Sequence, residues 1–251
     1  KGFAKIILVQ HQDSKVTWEN RSGFNRDERL LDRCKEKEDN LVVLTDFDLL
    51  SFRDTLGFES DKIVVIPHSL SLEIKSPRPE IKSKSIMMMT RLDNNQKRID
   101  LAIRAMKSLP DWKLNIYGFG NDEIYLKRVV QKENINNVSF HGLCDDKSSA
   151  FEHNSIHLMT SDFEGFGISN IEAISQGVPI IIRDTFGAAK EIIEHDNGIL
   201  LSNEWDDAAL VNAINCIHDN YAFYSNNAIF TAKNYSFESV REKWLNLCNL
   251  D

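Results

Sequence analysis

The chain has 251 residues, of which 42% are hydrophobic and 27% charged, and its formal net charge is −8. This composition buries an ordinary globular core, in one large domain or in two that share an interface. The acidic balance argues against a nucleic-acid surface or a strongly basic membrane patch. It leaves room for a local anion site, because backbone donors and a few basic side chains hold a phosphate even on an acidic protein.

Cys34, Cys144, Cys216 and Cys248 lie far apart, with no CxxC and no Cys/His pairing at metal spacing, as expected of reduced cytoplasmic thiols. No apolar run approaches the roughly 20 residues of a spanning helix, and no signal peptide is visible. Lys1 stands directly before a strand-like run, the expectation for a piece of a longer chain.

In chain order, short β-rich apolar runs recur at 6–9, 41–44, 63–66, 86–90, 113–117, 138–140, 156–159, 179–182 and 198–201. Helix-period segments occupy 99–109, 123–133, 168–176, 188–193 and 206–217. Short continuous strands alternating with helices indicate parallel sheets covered on both faces. The fold class is therefore α/β, with doubly wound, Rossmann-like units. A seam falls at Pro67-His68-Ser69, followed by a polar stretch containing Pro77 and Pro79. The division expected is a partial first domain over 1–67, a linker over 68–85, a complete domain over 86–235 and a terminal helix over 236–251. That helix opens on Ser236 as its N-cap.

The stretch from Ser161 to Pro179, Ser-Asp-Phe-Glu-Gly-Phe-Gly-Ile-Ser-Asn-Ile-Glu-Ala-Ile-Ser-Gln-Gly-Val-Pro, reads as a strand end, a Gly-bearing loop and a new helix. Gly165 and Gly167 permit positive φ and close backbone approach to a ligand. The helix start offers unpaired N–H groups and the positive end of a dipole, suited to a diphosphate. Glu164 in the loop and Glu172 one turn into the helix can both face the crevice at the carboxyl ends of the strands. Their oxygens suit sugar and ribose hydroxyls. The competing reading is two solvated glutamates. Asp46-Phe-Asp48 has the D-x-D form of a metal site, but directly after the 41–44 run it reads better as a helix start. Gly118-Phe-Gly120 lacks the third glycine of a dinucleotide-binding turn.

Glu164-Gly-Phe-Gly-Ile-Ser-Asn-Ile-Glu172, with Ala173, Gly177 and Pro179, resembles the E-x7-E pattern of the retaining GT-B glycosyltransferases of family GT4. The likeness extends over roughly residues 60–250. It includes Thr90-Arg91-Leu92 with Lys97, Leu114-Asn-Ile-Tyr-Gly-Phe-Gly120, Asn137-Val-Ser-Phe-His-Gly142 and Asp196-Asn-Gly-Ile-Leu-Leu201. The chain departs from the family pattern at Thr90, at the spacing of Lys97, at Pro67-His68-Ser69 and at Ala188-Ala189.

The resemblance implies a GT-B fold with a partial second Rossmann-like domain and a terminal helix crossing back to it. It implies that Arg91 and Lys97 neutralise the leaving diphosphate and that Glu164 lies by the transferred sugar. Phe166, Gly167 and Ile168 would present N–H groups to the sugar or phosphate, and Glu172 would accept from the ribose. The base would rest near Gly118, His141 and Leu143. His11, ending the first strand, is similar in placement to the family's catalytic-face histidine and would face the acceptor side or the sugar's 6-position; the alternative is a strand-end surface or packing histidine.

The activity implied is hexosyl transfer from a UDP-sugar, in preference to a GDP-sugar, to a glycan, lipid-linked or protein-linked hydroxyl. No cofactor or metal is expected, and no nucleic-acid partner. The setting would be the cytoplasm, with room for peripheral contact at the inner face of the membrane. The alternative is a non-catalytic nucleotide-sugar-binding subunit or fragment.

Overall fold

In the computed structural model, which describes residues 7–11 and 40–248, the β-branched runs of the sequence form two parallel sheets. Lys1, Ile6, Cys34 and the final residues 249–251 of the expected terminal helix lie outside the described residues. The first sheet holds β1 (Ile7–Val9), β2 (Asn40–Val43) and β3 (Ile63–Val65) in that order. Its register places Leu8 beside Leu41 and Val42 beside Val64.

The second sheet holds β4 (Ser85–Met89), β5 (Lys113–Tyr117), β6 (Val138–Gly142), β7 (Ile156–Met159), β8 (Ile180–Arg183) and β9 (Gly198–Leu201). Its order is β6-β5-β4-β7-β8-β9, parallel throughout. Strand order therefore runs outward in both directions from β4 and β7, and a crevice opens between their carboxyl ends. Alternate residues of the central strands feed two cores. Ile86, Met88, Leu158 and Ile181 pack on one face with Ile103, Leu126 and Ile214. Met87, Met159, Ile180 and Ile182 pack on the other with Ile171, Ile174 and Ala228. This two-sided burial is why these strands read as unbroken apolar runs.

The helices among the described residues are α1 (Asp46–Leu56), α2 (Asn94–Lys97), α3 (Ile99–Ala105), α4 (Glu123–Lys132), α5 (Lys147–Glu152), α6 (Ile168–Ser175), α7 (Ala188–Ile192), α8 (Asp207–Asp219), α9 (Tyr221–Ala232) and α10 (Phe237–Cys248). Helices α2, α5 and α9 do not stand among the segments read from periodicity. The Asp46/Asp48 pair is a helix start: the Thr45 hydroxyl accepts from the Asp48 N–H at 3.0 Å and donates to the Asp48 carboxylate at 2.7 Å. Helix α10 begins with the Ser236 hydroxyl accepting from the Ser239 N–H at 3.1 Å. It then lays Val240, Trp244 and Leu247 against Val42, Val64 and Ile66, joining the end of the chain to the first sheet.

Candidate functional site

The crevice is built by loops that leave β4, β5 and β7. Beyond β4, the Thr90 N–H donates to Tyr117 O and the Leu92 N–H to Phe119 O, each at 2.9 Å, so two loops run side by side. This closeness requires glycine. A Cβ on Gly118, whose φ is 134°, would stand 1.8 Å from the Thr90 carbonyl oxygen, and one on Gly120 would stand 2.3 Å from that of Leu92.

Helix α2 carries Lys97 at its end and is stitched to the loop after β7. The Thr160 hydroxyl donates to Lys97 O at 2.7 Å, the Asp162 N–H to Gln96 O at 2.8 Å, and the Gln96 amide to Phe163 O at 3.0 Å. Lys97 and Glu164 are thereby brought together although 67 residues separate them. Lys97 Nζ donates to Glu164 Oε1 at 2.6 Å, and Ser161 Oγ donates to the same oxygen at 2.6 Å. Their side chains are only 13% and 9% exposed, so the charges meet in a place of low dielectric.

Glu172 is held in a parallel manner. Lys147 Nζ donates to its Oε1 at 2.6 Å and Ser71 Oγ to the same oxygen at 2.9 Å. Each glutamate is thus pinned at one oxygen by a lysine and a serine. Among the described residues, Oε2 of each carries no hydrogen bond, leaving an oriented acceptor.

A cavity of about 700 Å³ contains this arrangement. Of the residues singled out from sequence, Arg91, Lys97, Gly118, Leu143, Glu164, Phe166, Gly167, Ile168, Glu172 and His11 all line it. Arg91 donates from Nη2 to Gln96 Oε1 at 2.7 Å, and its side chain is 63% exposed. Gly167 adopts φ 85° at the start of α6. The N–H groups of Phe166, Gly167 and Ile168 have no preceding helical turn to accept from them.

His141 lies behind the lining residue Tyr117: their rings stack with centroids 4.6 Å apart, and its Nε2 is 3.0 Å from Asn115 Oδ1. Of the two loop glycines, Gly167 takes the left-handed φ at the start of the helix, and Gly165 lines the cavity without it.

Sequence reasoning also missed Ser71, Lys147, Ser161 and His68. The His68 ring stacks on His11 at 5.4 Å and meets Phe166 edge-on at 5.5 Å, linking the first sheet, the linker and the α6 loop. Burial, and then the nearby His11, lowers the pKa of His68. The only advance signals were the motifs that held Ser161 and His68; nothing near Ser71 or Lys147 in the chain marked either.

Residues 72–233 match the family described as "Glycosyl transferases group 1". The chain is 25% identical over 256 residues to an uncharacterized glycosyltransferase of Haemophilus influenzae, covering 96% of this chain and 71% of that protein. It is 26% identical over 261 residues to the poly(ribitol-phosphate) alpha-N-acetylglucosaminyltransferase of Staphylococcus aureus, covering 97% and 50%. Among solved structures it is similar to S. aureus TarM in complex with fondaparinux, alpha-GlcNAc-glycerol and UDP, with a TM-score of 0.82 and 25% identity over 98% of this chain and 51% of that one. The chain therefore spans about half the length of these last two proteins.

Proposed function

The chain belongs to the glycosyl transferases of group 1, and on that premise we propose that it moves a hexosyl unit from a UDP-sugar to a hydroxyl of a glycan or related acceptor, with retention of configuration. The observation that carries this reading is the pair of glutamates, each pinned at one oxygen by a lysine and a serine, facing one crevice with Arg91. The similar TarM structure holds UDP, which favours uridine over guanosine for the donor.

In this reading the diphosphate sits between Arg91, Lys97 and the start of α6. Negative charge grows there as the glycosidic bond breaks, so fixed cations and N–H dipoles stabilise the transition state more than the ground state. Lys97 stays tethered by Glu164, which removes most of the reorganisation that a free lysine would undergo. The open oxygen of Glu172 accepts from the ribose hydroxyls, and that of Glu164 from the transferred sugar. The base lies over Gly118 and Leu143, beside the stacked rings of Tyr117 and His141. His11 and His68 face the acceptor, which attacks from the side that the diphosphate leaves. The work belongs to the cytoplasm, where it would include peripheral contact with a membrane-borne acceptor; among the described residues no helix is long and apolar enough to cross a membrane.

The test is release of UDP from a UDP-sugar with an acceptor present, followed by wild type and Arg91→Ala. Losing one such charge should slow transfer about 100-fold, or ~3 kcal/mol. An Arg91→Ala protein turning over at the full rate would refute that role. Proton NMR of the newly formed product reads the anomeric outcome, and an inverted linkage would refute retention.

A further inference from the structure

We propose that Lys147 is a positioning residue for the donor: paired with Glu172, it aims the carboxylate's open oxygen at the ribose hydroxyls. The inference rests on the reading of the crevice as a nucleotide-sugar site.

Lys147 is the first residue of α5, directly after the N-cap Asp146, whose carboxylate accepts from the Ser149 N–H at 2.9 Å. The next residue ties the helix to the end of α6, Ser148 Oγ donating to Gln176 Oε1 at 3.0 Å. The root of Lys147 is therefore fixed relative to the helix that bears Glu172. Its side chain is 41% exposed, yet its ammonium turns inward to a carboxylate only 2% exposed. A lysine of that exposure ordinarily keeps its head in water, since ordering the long stem costs side-chain entropy. Here the buried charge supplies the reason to order it.

Among the described residues, Lys147 is the one cation bonded to Glu172. Without it the carboxylate keeps only the neutral Ser71 hydroxyl, also on Oε1. A buried carboxylate that loses its cation is left with one neutral partner and is free to turn its oxygens away from the ligand space. With Lys147 present, Oε1 is doubly occupied and Oε2 is left as a charged acceptor of fixed direction. Lys147 also lines the cavity, so its grip on Glu172 is made at the edge of the ligand space.

The test compares UDP with 2′,3′-dideoxy-UDP by isothermal titration on wild type, Lys147→Met and Lys147→Arg, with melting temperatures recorded for each. Wild type is expected to favour UDP at least tenfold. Lys147→Met should lose about tenfold for UDP and less than twofold for the dideoxy compound, collapsing the discrimination, and Lys147→Arg should restore most of it. Equal losses for both nucleotides would overturn the proposal in favour of a phosphate or base contact, or of a folding defect. No loss at all would overturn it too. Wild type binding neither compound would instead remove the donor-site reading itself, and this role with it.

Discussion

Glu172 shows how a single side chain divides its labour between protein and ligand. One oxygen is held by Lys147 and Ser71, and that grip leaves the other open to the ligand space. Glu172→Gln keeps the volume and removes the charge, so UDP affinity measured by titration should fall about tenfold, the size of one charged hydrogen bond. His157 makes a different residue-scale prediction. It is fully buried on β7, and burial lowers its pKa to about 4, outweighing the raising effect of the nearby Asn170 side chain. The unfolded chain then binds a proton near pH 6.5 that the native state refuses until about pH 4. Stability should fall as pH drops across that window, by about 3 kcal/mol in all from this residue. In His157→Phe that slope should be shallower by up to one proton in urea titrations; an unchanged slope would deny the effect.

Most of this residue-scale chemistry was legible where neighbours in sequence make it. Glu164 and Glu172 share one strand–loop–helix unit, and Arg91 and Lys97 share one strand end. Ser71 and Lys147 were not legible, because they approach Glu172 from 101 and 25 residues away and only the packed fold unites them. The stacking of His141 on Tyr117 was likewise invisible, because it joins two strands 24 residues apart.

At the level of elements, α6 depends on the left-handed turn at its start. A Cβ on Gly167 would meet the Asn170 amide nitrogen at 2.8 Å, and φ 85° is strained for any other residue. Gly167→Ala should lower stability by about 1–2 kcal/mol in denaturant titrations and weaken UDP binding, since the N–H groups of that turn shift with it. Helix α1 has a long-range cap: the Glu191 carboxylate of α7 accepts from the N–H groups of Asp46 at 3.1 Å and Phe47 at 2.8 Å. Glu191→Ala should cost about 1 kcal/mol and speed hydrogen exchange at those two amides; unchanged exchange would mean that solvent replaces the carboxylate at no cost.

Helix α9 escaped the periodic reading for a physical reason. Its buried stripe includes Ser225 and Thr231, while Phe223 and Phe230 face outward. Ser225 accepts from the Arg78 N–H at 2.8 Å and donates to Gly177 O at 2.7 Å, so a polar residue is at home in the core and blurs the apolar period. Helices α2 and α5 are 4 and 6 residues long, too short to show a period at all.

For the molecule as a whole, the strand order of the larger sheet places a crevice between β4 and β7, and the smaller sheet delivers His11 to it. The two sheets are joined by α10, by the Glu191 cap and by the His11–His68–Phe166 ring contacts. The alternation of strands and helices made the parallel α/β class readable, because two-sided burial writes itself as apolar runs. The strand order was not readable in the same way, since it is set by which helices cover which face. The measurement that bears most directly on a nucleotide-sugar donor site is isothermal titration of UDP, GDP and their sugar conjugates into wild type and Glu172→Ala. The expected result is micromolar binding of UDP and a UDP-sugar, weaker binding of GDP, and at least a tenfold loss in the variant. Wild-type protein that binds none of them, or a Glu172→Ala protein that binds UDP as tightly as wild type, would contradict it.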